Sequence, residues 1–451
     1  MRHRFRAHWY ELQDTLWFIP AMMTVAGVLL ALLTVWIDEV AGIDQRIQLT
    51  WLFGGGAEGA RGVLSTIAGT MITVTGLVFS ITIVALQLAS SQFTPRVLRN
   101  FTGDRGNQVV LGVFIATFTY CLLVLRSVHS ATQDLEIFVP TLSVTVAILL
   151  GLLSIGFLIY YIHHAARSIQ ASVIIERAAQ DMVDVIRRLL PEQGDTGQPA
   201  ITVSPTLQPE STAIVITSGS GGYLQLVDDG DLFHLARDEV LHIRILPGVG
   251  DFLLTGQPVA YVWPVSPDDA AGREELQERI EGRIRRALYV GLERTLAADL
   301  AFGFRQIADI ALKALSAAIN DPTTANMCID RLCQALVVLE QRDLRSRSRH
   351  DEESNAVLVL PGPSFDHLVH VAFDQIRHYG ATDAKVAAHL GDALGNVAAI
   401  VAPGHRDVLR QVARALLETV STVPHIEMDR ERVRQSVAWA MTGDDGKQDS
   451  D

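Results

Sequence analysis

The sequence predicts an α-helical transmembrane bundle of four spans followed by a cytosolic α+β domain, in which a small β-barrel-like unit precedes a helical region. Three observations carry this. Hydrophobic residues make up 49% and charged residues only 19% of 451 residues, respectively high and low for a soluble chain. Four long apolar stretches fall within the first 165 residues. After residue 200 the pattern turns to short β-branched runs and then to helical periods.

The spans are read as residues 16–37, 63–88, 109–125 and 137–162, because about 20 apolar residues rising 1.5 Å each cross the hydrocarbon core. The first is too long for the apolar region of a cleaved signal and no small-residue cleavage site follows it. Basic residues favour the cytoplasmic side of short loops. Arg2, Arg4 and Arg6 precede the first span and Arg96, Arg99 and Arg105 lie between the second and third, against Arg46, Arg61 and Arg126 on the other side. The expectation is a bacterial cytoplasmic (inner) membrane protein with four crossings and both termini inside.

Up to Ala165 there are nine basic and nine acidic residues, so the formal charge of -13 (28 basic against 41 acidic) falls on the rest of the chain. An acidic soluble part lacks the basic footprint of nucleic-acid binding and does not suit an anionic membrane surface. The three cysteines, Cys121, Cys328 and Cys333, fit no disulfide framework or zinc spacing and read as free buried thiols.

Residues 166–199 read as a helical connector continuing the fourth span, stopped at Pro191. Residues 200–264 read as a β-rich unit, with runs "AIVITS", "GYLQLV", "VLHIRIL" and "PVAYVWP" separated by Gly, Asp and Pro. Within it, "LPGVGDFLLTGQPVAYVWP" looks like the hairpin of small barrel-sandwich domains of the biotinyl or lipoyl kind. No lysine stands at the turn to carry a prosthetic group, and no cofactor is expected. Residues 272–441 read as mostly helical, with helices at 274–288, 295–319 and 322–341, a polar linker "RDLRSRSRHDEES", a short strand "AVLVL" and further helices. Residues 442–451 form an acidic tail expected to be disordered.

The runs "GAEGARGVLSTIAGTMITVTGLVFSITIVALQLASSQFTPRVLRNF", "LGVFIATFTYCLLVL", "ERTLAADLAFGFRQIADIALKALSAAINDPTTA" and "FDQIRHYGATD" resemble a bacterial family of predicted multi-pass membrane proteins catalogued as domain of unknown function 2254. The resemblance covers nearly the whole chain. It implies the four spans and the cytosolic domain, and no activity.

Function is read from the second span. Thr66, Thr70, Thr73, Ser80, Gln87 and Ser91 follow steps of three, four and seven and share one helical face, interrupted by Leu77 and Val84. Gly62, Gly69 and Gly76 repeat every seven residues as a smooth ridge. In one reading the hydroxyls bond back to carbonyls or across to neighbouring helices, and the small residues serve packing. In the other, copies of this helix surround an axis, the glycine ridge meets an adjacent helix, and the stripe wets a pore closed by dewetting at Leu77 or Val84.

The ends of this span offer further candidates. Glu58 and Arg61 stand at its outer mouth, where they either bias ions by sign or form a local solvated pair. Pro95 breaks the helix at its inner end. Arg96 and Arg99 then read as snorkelling anchors or as couplers to the cytosolic domain.

In the soluble part, Asn320 and Asp321 before Pro322 fit a helix stop and restart with Asp321 as N-cap; a cation or ligand site is the alternative. Asp366, His370, Asp374 and His378 recur every four residues, as a solvated stripe or as metal ligands. "SGSGG" at 218–222 lacks the ending of a phosphate loop and reads as a hairpin turn. His163 and His164 read as interfacial. No G-x-S-x-G, H-E-x-x-H or Cys/His pairing is present, so an enzyme is not expected.

The expected function is a homo-oligomeric inner-membrane protein with an ion-conducting path along the second span, gated or assembled by its cytosolic domain. Its expected partners are the bilayer, further copies of itself and inorganic ions, and no nucleic acid. A membrane-anchored sensor or scaffold and an unrecognised membrane-bound enzyme are the alternatives.

Overall fold

The computed structural model describes residues 17–41, 53–92, 104–129, 138–193, 212–265, 273–344 and 347–441. The chain divides into two compact units, Met1–Ile174 and Ile175–Asp451.

The first unit is built from α1 (Phe18–Ala41), α2 (Ala57–Gln92), α3 (Arg105–Ser127) and α4 (Thr141–Ser168). Each contains a stretch long and apolar enough to cross a membrane. α3 sits centrally: 56% of its apolar window is buried, against 22% in each of the others. Close crossing of α1 and α3 depends on two glycines. A Cβ on Gly27 would lie 2.9 Å from the Ala116 carbonyl oxygen, and one on Gly112 would run into Met23. Two clusters fill the interior, one around Leu64, Tyr120 and Val144, the other around Val78, Phe114 and Tyr161.

The connector departs from the continuous helix expected after the fourth span. α4 ends at Ser168 and α5 (Ala171–Leu189) starts afresh, with the amides of Val173 and Ile174 both donating to the Gln170 carbonyl. An Asp104 N-cap begins α3, its carboxylate accepting from the amides of Gly106 and Asn107.

In the second unit, strands β1 (Ile214–Thr217), β2 (Gly222–Val227), β3 (Leu241–Ile245), β4 (Phe252–Leu253), β5 (Pro258–Pro264), β6 (Leu288–Gly291), β7 (Arg347–His350) and β8 (Val357–Leu360) make two open sheets. Their orders are β1-β5-β3-β8-β7 and β4-β2-β6. Among the described residues, only β3 and β8 pair in parallel.

No closed barrel forms among the described residues, so the barrel-like expectation for residues 200–264 is not confirmed. The reason is in the pairing: β4 and β5, read as one hairpin, belong to different sheets, and the free edges of β2 and β3 are taken by β6 and β8 from beyond that segment. The turn at 218–222 likewise connects the two sheets instead of closing a hairpin. β7 falls in the stretch read as a linker. Helices α6 (Asp229–Asp238) and α7 (Arg273–Ala287) cover the apolar faces, burying Leu232, Leu235, Ile280 and Ile284 with Ile216, Ile243 and Val262.

The remaining helices are α8 (Leu300–Ala314), α9 (Pro322–Glu340), α10 (Phe365–Gly380), α11 (Ala384–Ile400), α12 (Pro403–Ser421) and α13 (Glu427–Ser436). Amphipathic periods explain their packing. α8 buries Phe304, Ile307 and Ala311, and α10 buries Leu368, Phe373 and Ile376.

Candidate functional site

α2 turns one face to its own bundle and the other away. The buried side carries Ala60, Leu64, Ala68, Met71, Val78, Thr82 and Ala85, at helical steps of three, four and seven. That registry carries the polar stripe outward: Thr66, Thr70, Thr73, Ser80 and Gln87 are all exposed, with Leu77 at 56% and Val84 at 52% exposure between them. Ser91 lies in the helix, but its side chain falls outside the described residues.

The threonine hydroxyls are satisfied locally. Thr66 donates to the Gly62 carbonyl (2.7 Å), Thr70 to that of Thr66 (2.8 Å) and Thr73 to that of Gly69 (2.9 Å). An outward hydroxyl bonded in this way exposes little unmet polarity to lipid. Among the described residues the glycine ridge packs against nothing: a Cβ on Gly62, Gly69 or Gly76 would find no atom within 4 Å. The close approach these glycines were expected to permit is made in this unit by Gly27 and Gly112.

At the mouth, Arg61 donates to the Val128 carbonyl at 3.0 Å, where it ties the start of α2 to the end of α3 and offsets that helix's C-terminal partial charge. Glu58 is exposed. Pro95, Arg96 and Arg99 lie outside the described residues.

Inside the bundle are polar groups that the pattern of the spans did not mark. Asp38 is 5% exposed and accepts from the amides of Leu142 (3.0 Å) and Ser143 (2.9 Å) and from the Ser143 hydroxyl (2.6 Å). α4 begins after Pro140 with no side-chain cap of its own, so a carboxylate from α1 supplies one. Tyr120 donates to the Ser143 carbonyl (3.0 Å) and its hydroxyl lies 2.9 Å from that of Thr34.

Toward the other end of α4, Tyr161 donates to the Val78 carbonyl and meets Thr82, both at 2.9 Å. His164, expected to be interfacial, has Nε2 2.9 Å from the Asp104 carboxylate. The available signal for Asp38 was an acidic residue directly after an apolar span, together with a span that opens on proline without a capping side chain.

In the second unit, Asp321 caps α9. Its carboxylate accepts from the Thr324 hydroxyl (2.6 Å) and amide (3.1 Å), and the hydroxyl above all holds its pKa below the usual 3.8. Asn320 stands beside it, exposed, in the left-handed region at φ 48°, where asparagine is tolerated best after glycine.

On α10 the structure brings together only one pair of the four-residue stripe, His370 and Asp374 at 3.1 Å. Asp366 and His378 stand one step further along at either end. Steps of four advance about 6 Å and drift about 40°, so the full stripe spans about 18 Å and does not converge on one ion. Among the described residues no group of three His, Cys, Asp or Glu side chains is placed to hold a metal. Cys328 and Cys333 are free and buried on α9, and burial raises both thiol pKa values.

The comparisons with known proteins agree with the four apolar helices. The chain is 35% identical to an uncharacterised protein of Mycobacterium tuberculosis and to one of Mycobacterium bovis over 419 residues, covering 92% of this chain and 78% of each relative. No solved structure matches it. Residues 13–396 match the model of a family described as "Predicted membrane protein (DUF2254)". The chain therefore belongs to the DUF2254 family of membrane proteins.

Proposed function

We propose that copies of this chain associate in the bacterial cytoplasmic membrane through the outward face of α2, and that the hydroxyl stripe lines an ion pathway between them. One observation carries the reading. The faces of α1 and α4 that turn away from the bundle are bulky and apolar, with Leu29, Leu32 and Trp36 on one and Leu152, Ile155 and Ile159 on the other, all more than half exposed. α2 also turns bulky apolar residues outward, Ile72, Leu77, Phe79 and Val84 among them, but sets threonine, serine, glutamine and an open glycine ridge between them. A lipid-facing helix has no need of such a face, whereas small residues let helices meet closely and hydroxyls support hydrated ions. Leu77 and Val84 then form the apolar rings at which the path dewets. The arginine bias puts both termini on the cytoplasmic side.

The test is ion flux through the purified protein in proteoliposomes. Wild type conducts, Thr73→Trp blocks, and Gln87→Leu reduces conduction through the inner half. Absence of flux across voltage, pH and membrane tension refutes the pathway.

The second reading is a membrane-anchored scaffold. It is favoured by the bonds of Thr66, Thr70 and Thr73 to their own backbone, which allow the stripe to face lipid at little cost.

A further inference from the structure

The parallel strands β3 and β8 both run into the same tripeptide, Leu246-Pro247-Gly248 and Leu360-Pro361-Gly362. Proline has no ladder donor, so the pairing stops there and the two chains part. Between them opens a cleft of about 740 Å³, a size common among small-molecule sites, at the strand ends where α/β sheets hold ligands. We propose that this cleft binds a small organic cation, an apolar body carrying one protonated amine.

The apolar body is matched by Leu190, Leu226, Val249, Leu300 and Leu368, which line the wall. A volume of this size accommodates two fused rings with room for a polar group.

The sign of the charge follows from the ionised groups of the lining. Asp229, Asp251 and Asp299 stand against one arginine, Arg294, so with histidine counted as neutral the described lining carries a formal charge of -2 (one basic against three acidic). Arg294 and Asp299 cancel each other: the guanidinium holds both oxygens of this almost fully buried carboxylate, at 2.7 and 2.9 Å. A cation entering the cleft therefore meets Asp251 and Asp229.

Both keep acceptor capacity. One Asp251 oxygen accepts from the Gly248 amide at 2.8 Å, and the other makes no bond among the described residues. The Asp251 amide donates back to the Gly248 carbonyl at 3.1 Å, so this short turn fixes the carboxylate that it presents. Asp229 lies 3.8 Å from Arg349, which stands outside the lining and beyond hydrogen-bond reach.

The backbone has the same bias. Pro247, Pro361 and Pro363 bring carbonyls but no N–H to the loops of the cleft. Helices α6, α8 and α10 begin at its wall, yet each start is answered by its own cap: Asp228 for the Asp231 amide, Asp299 for that of Phe302 and Ser364 for that of His367. An ionised carboxylate only accepts, and one with an open oxygen beside an apolar wall suits an ammonium group.

Binding here is independent of any association through α2, so the two proposals fail separately. Full-length protein in nanodiscs of zwitterionic lipid is dialysed to equilibrium near neutral pH against 1-naphthylmethylamine, 1-naphthalenemethanol or 1-naphthoate, with empty nanodiscs as the blank. The expected result is saturable amine binding at one per chain, with the alcohol weaker and the naphthoate weakest. Asp251→Asn keeps an oxygen for the Gly248 amide and removes the charge; it weakens the amine at least about tenfold and leaves the alcohol unchanged. Leu226→Trp, built on a side chain that is already 46% exposed, narrows the cleft and weakens amine and alcohol alike. No saturable amine binding above the blank, naphthoate bound as tightly as the amine, or an Asp251→Asn variant that binds the amine like wild type would each overturn the proposal.

Discussion

Gly69→Leu separates a packing glycine from an interface glycine, and Gly27→Leu is its control. Among the described residues no atom lies within 4 Å of a Cβ built on Gly69, so a side chain can start there without meeting a neighbouring helix. Replacing a mid-helix glycine also removes a propensity penalty of about 0.8–1 kcal/mol. The fold should be unchanged or slightly stabilised. At Gly27 the same change forces a Cβ to 2.9 Å from the Ala116 carbonyl oxygen and 3.2 Å from its Cβ, an overpacking that costs about 1–3 kcal/mol.

The two variants should therefore diverge in two assays. In denaturation of the purified protein Gly27→Leu is destabilised and Gly69→Leu is not. In a dilution series of labelled protein in liposomes, read by energy transfer between chains, Gly69→Leu loses association by at least about tenfold, equivalent to about 1.4 kcal/mol. Association of Gly69→Leu at wild-type strength would refute the assignment of the glycine ridge to an interface. Destabilisation equal to that of Gly27→Leu would refute the packing argument itself.

Three further outcomes are expected. Asp38→Ala orphans the amides of Leu142 and Ser143 at about 1–3 kcal/mol each, so denaturant titration should show a loss of at least about 2 kcal/mol; a smaller loss would mean that water reaches the start of α4. Asp321→Ala removes the α9 cap at about 0.5–2 kcal/mol. The Asp321 carboxyl titrates below its usual 3.8, so its contribution is present above that value and lost as pH falls through the lower folded one; the gap between wild type and variant should close in acid and would count against the cap if it widened. Cys328 and Cys333, buried and with raised thiol pKa values, should resist maleimide in the native protein and react on denaturation; labelling of the folded chain would contradict their burial.

What could be read from the sequence is what local chemistry decides. Asp321 and Pro322 declare the start of α9, because the cap, the fixed φ of proline and the Thr324 donor lie within four residues. That the hydroxyls of α2 share one face follows from periodicity alone; that the face is exposed does not. Partners across long separations do not. Asp38 meets Ser143 across 105 residues, and β3 finds β8 more than a hundred residues later. Periodicity defines faces and leaves open which faces meet, so a hairpin was expected where two sheets share the strands. α6 was missed for a local reason: "DDGD" carries turn residues, yet Asp228 caps the helix by accepting from the Asp231 amide.

The hydroxyls of this bundle fall into two sets, and the division bears on what the opening half of α2 is for. Thr34, Thr82, Thr117, Ser143 and Ser154 are buried and bridge helices, as in Thr82 with Tyr161 and Thr117 with Ser154. They are the polar glue of a membrane bundle. Thr66, Thr70 and Thr73 face away from all of this and bond only their own helix among the described residues. Among the described residues they join no two helices of the chain. A residue that neither holds the bundle nor matches the apolar exterior of α1 and α4 is accounted for most economically by a surface that lies beyond the single chain. Of the outward groups, Gln87 weighs most in that argument, because a side-chain amide has both donors and an acceptor to satisfy and a single backbone carbonyl meets only part of that need.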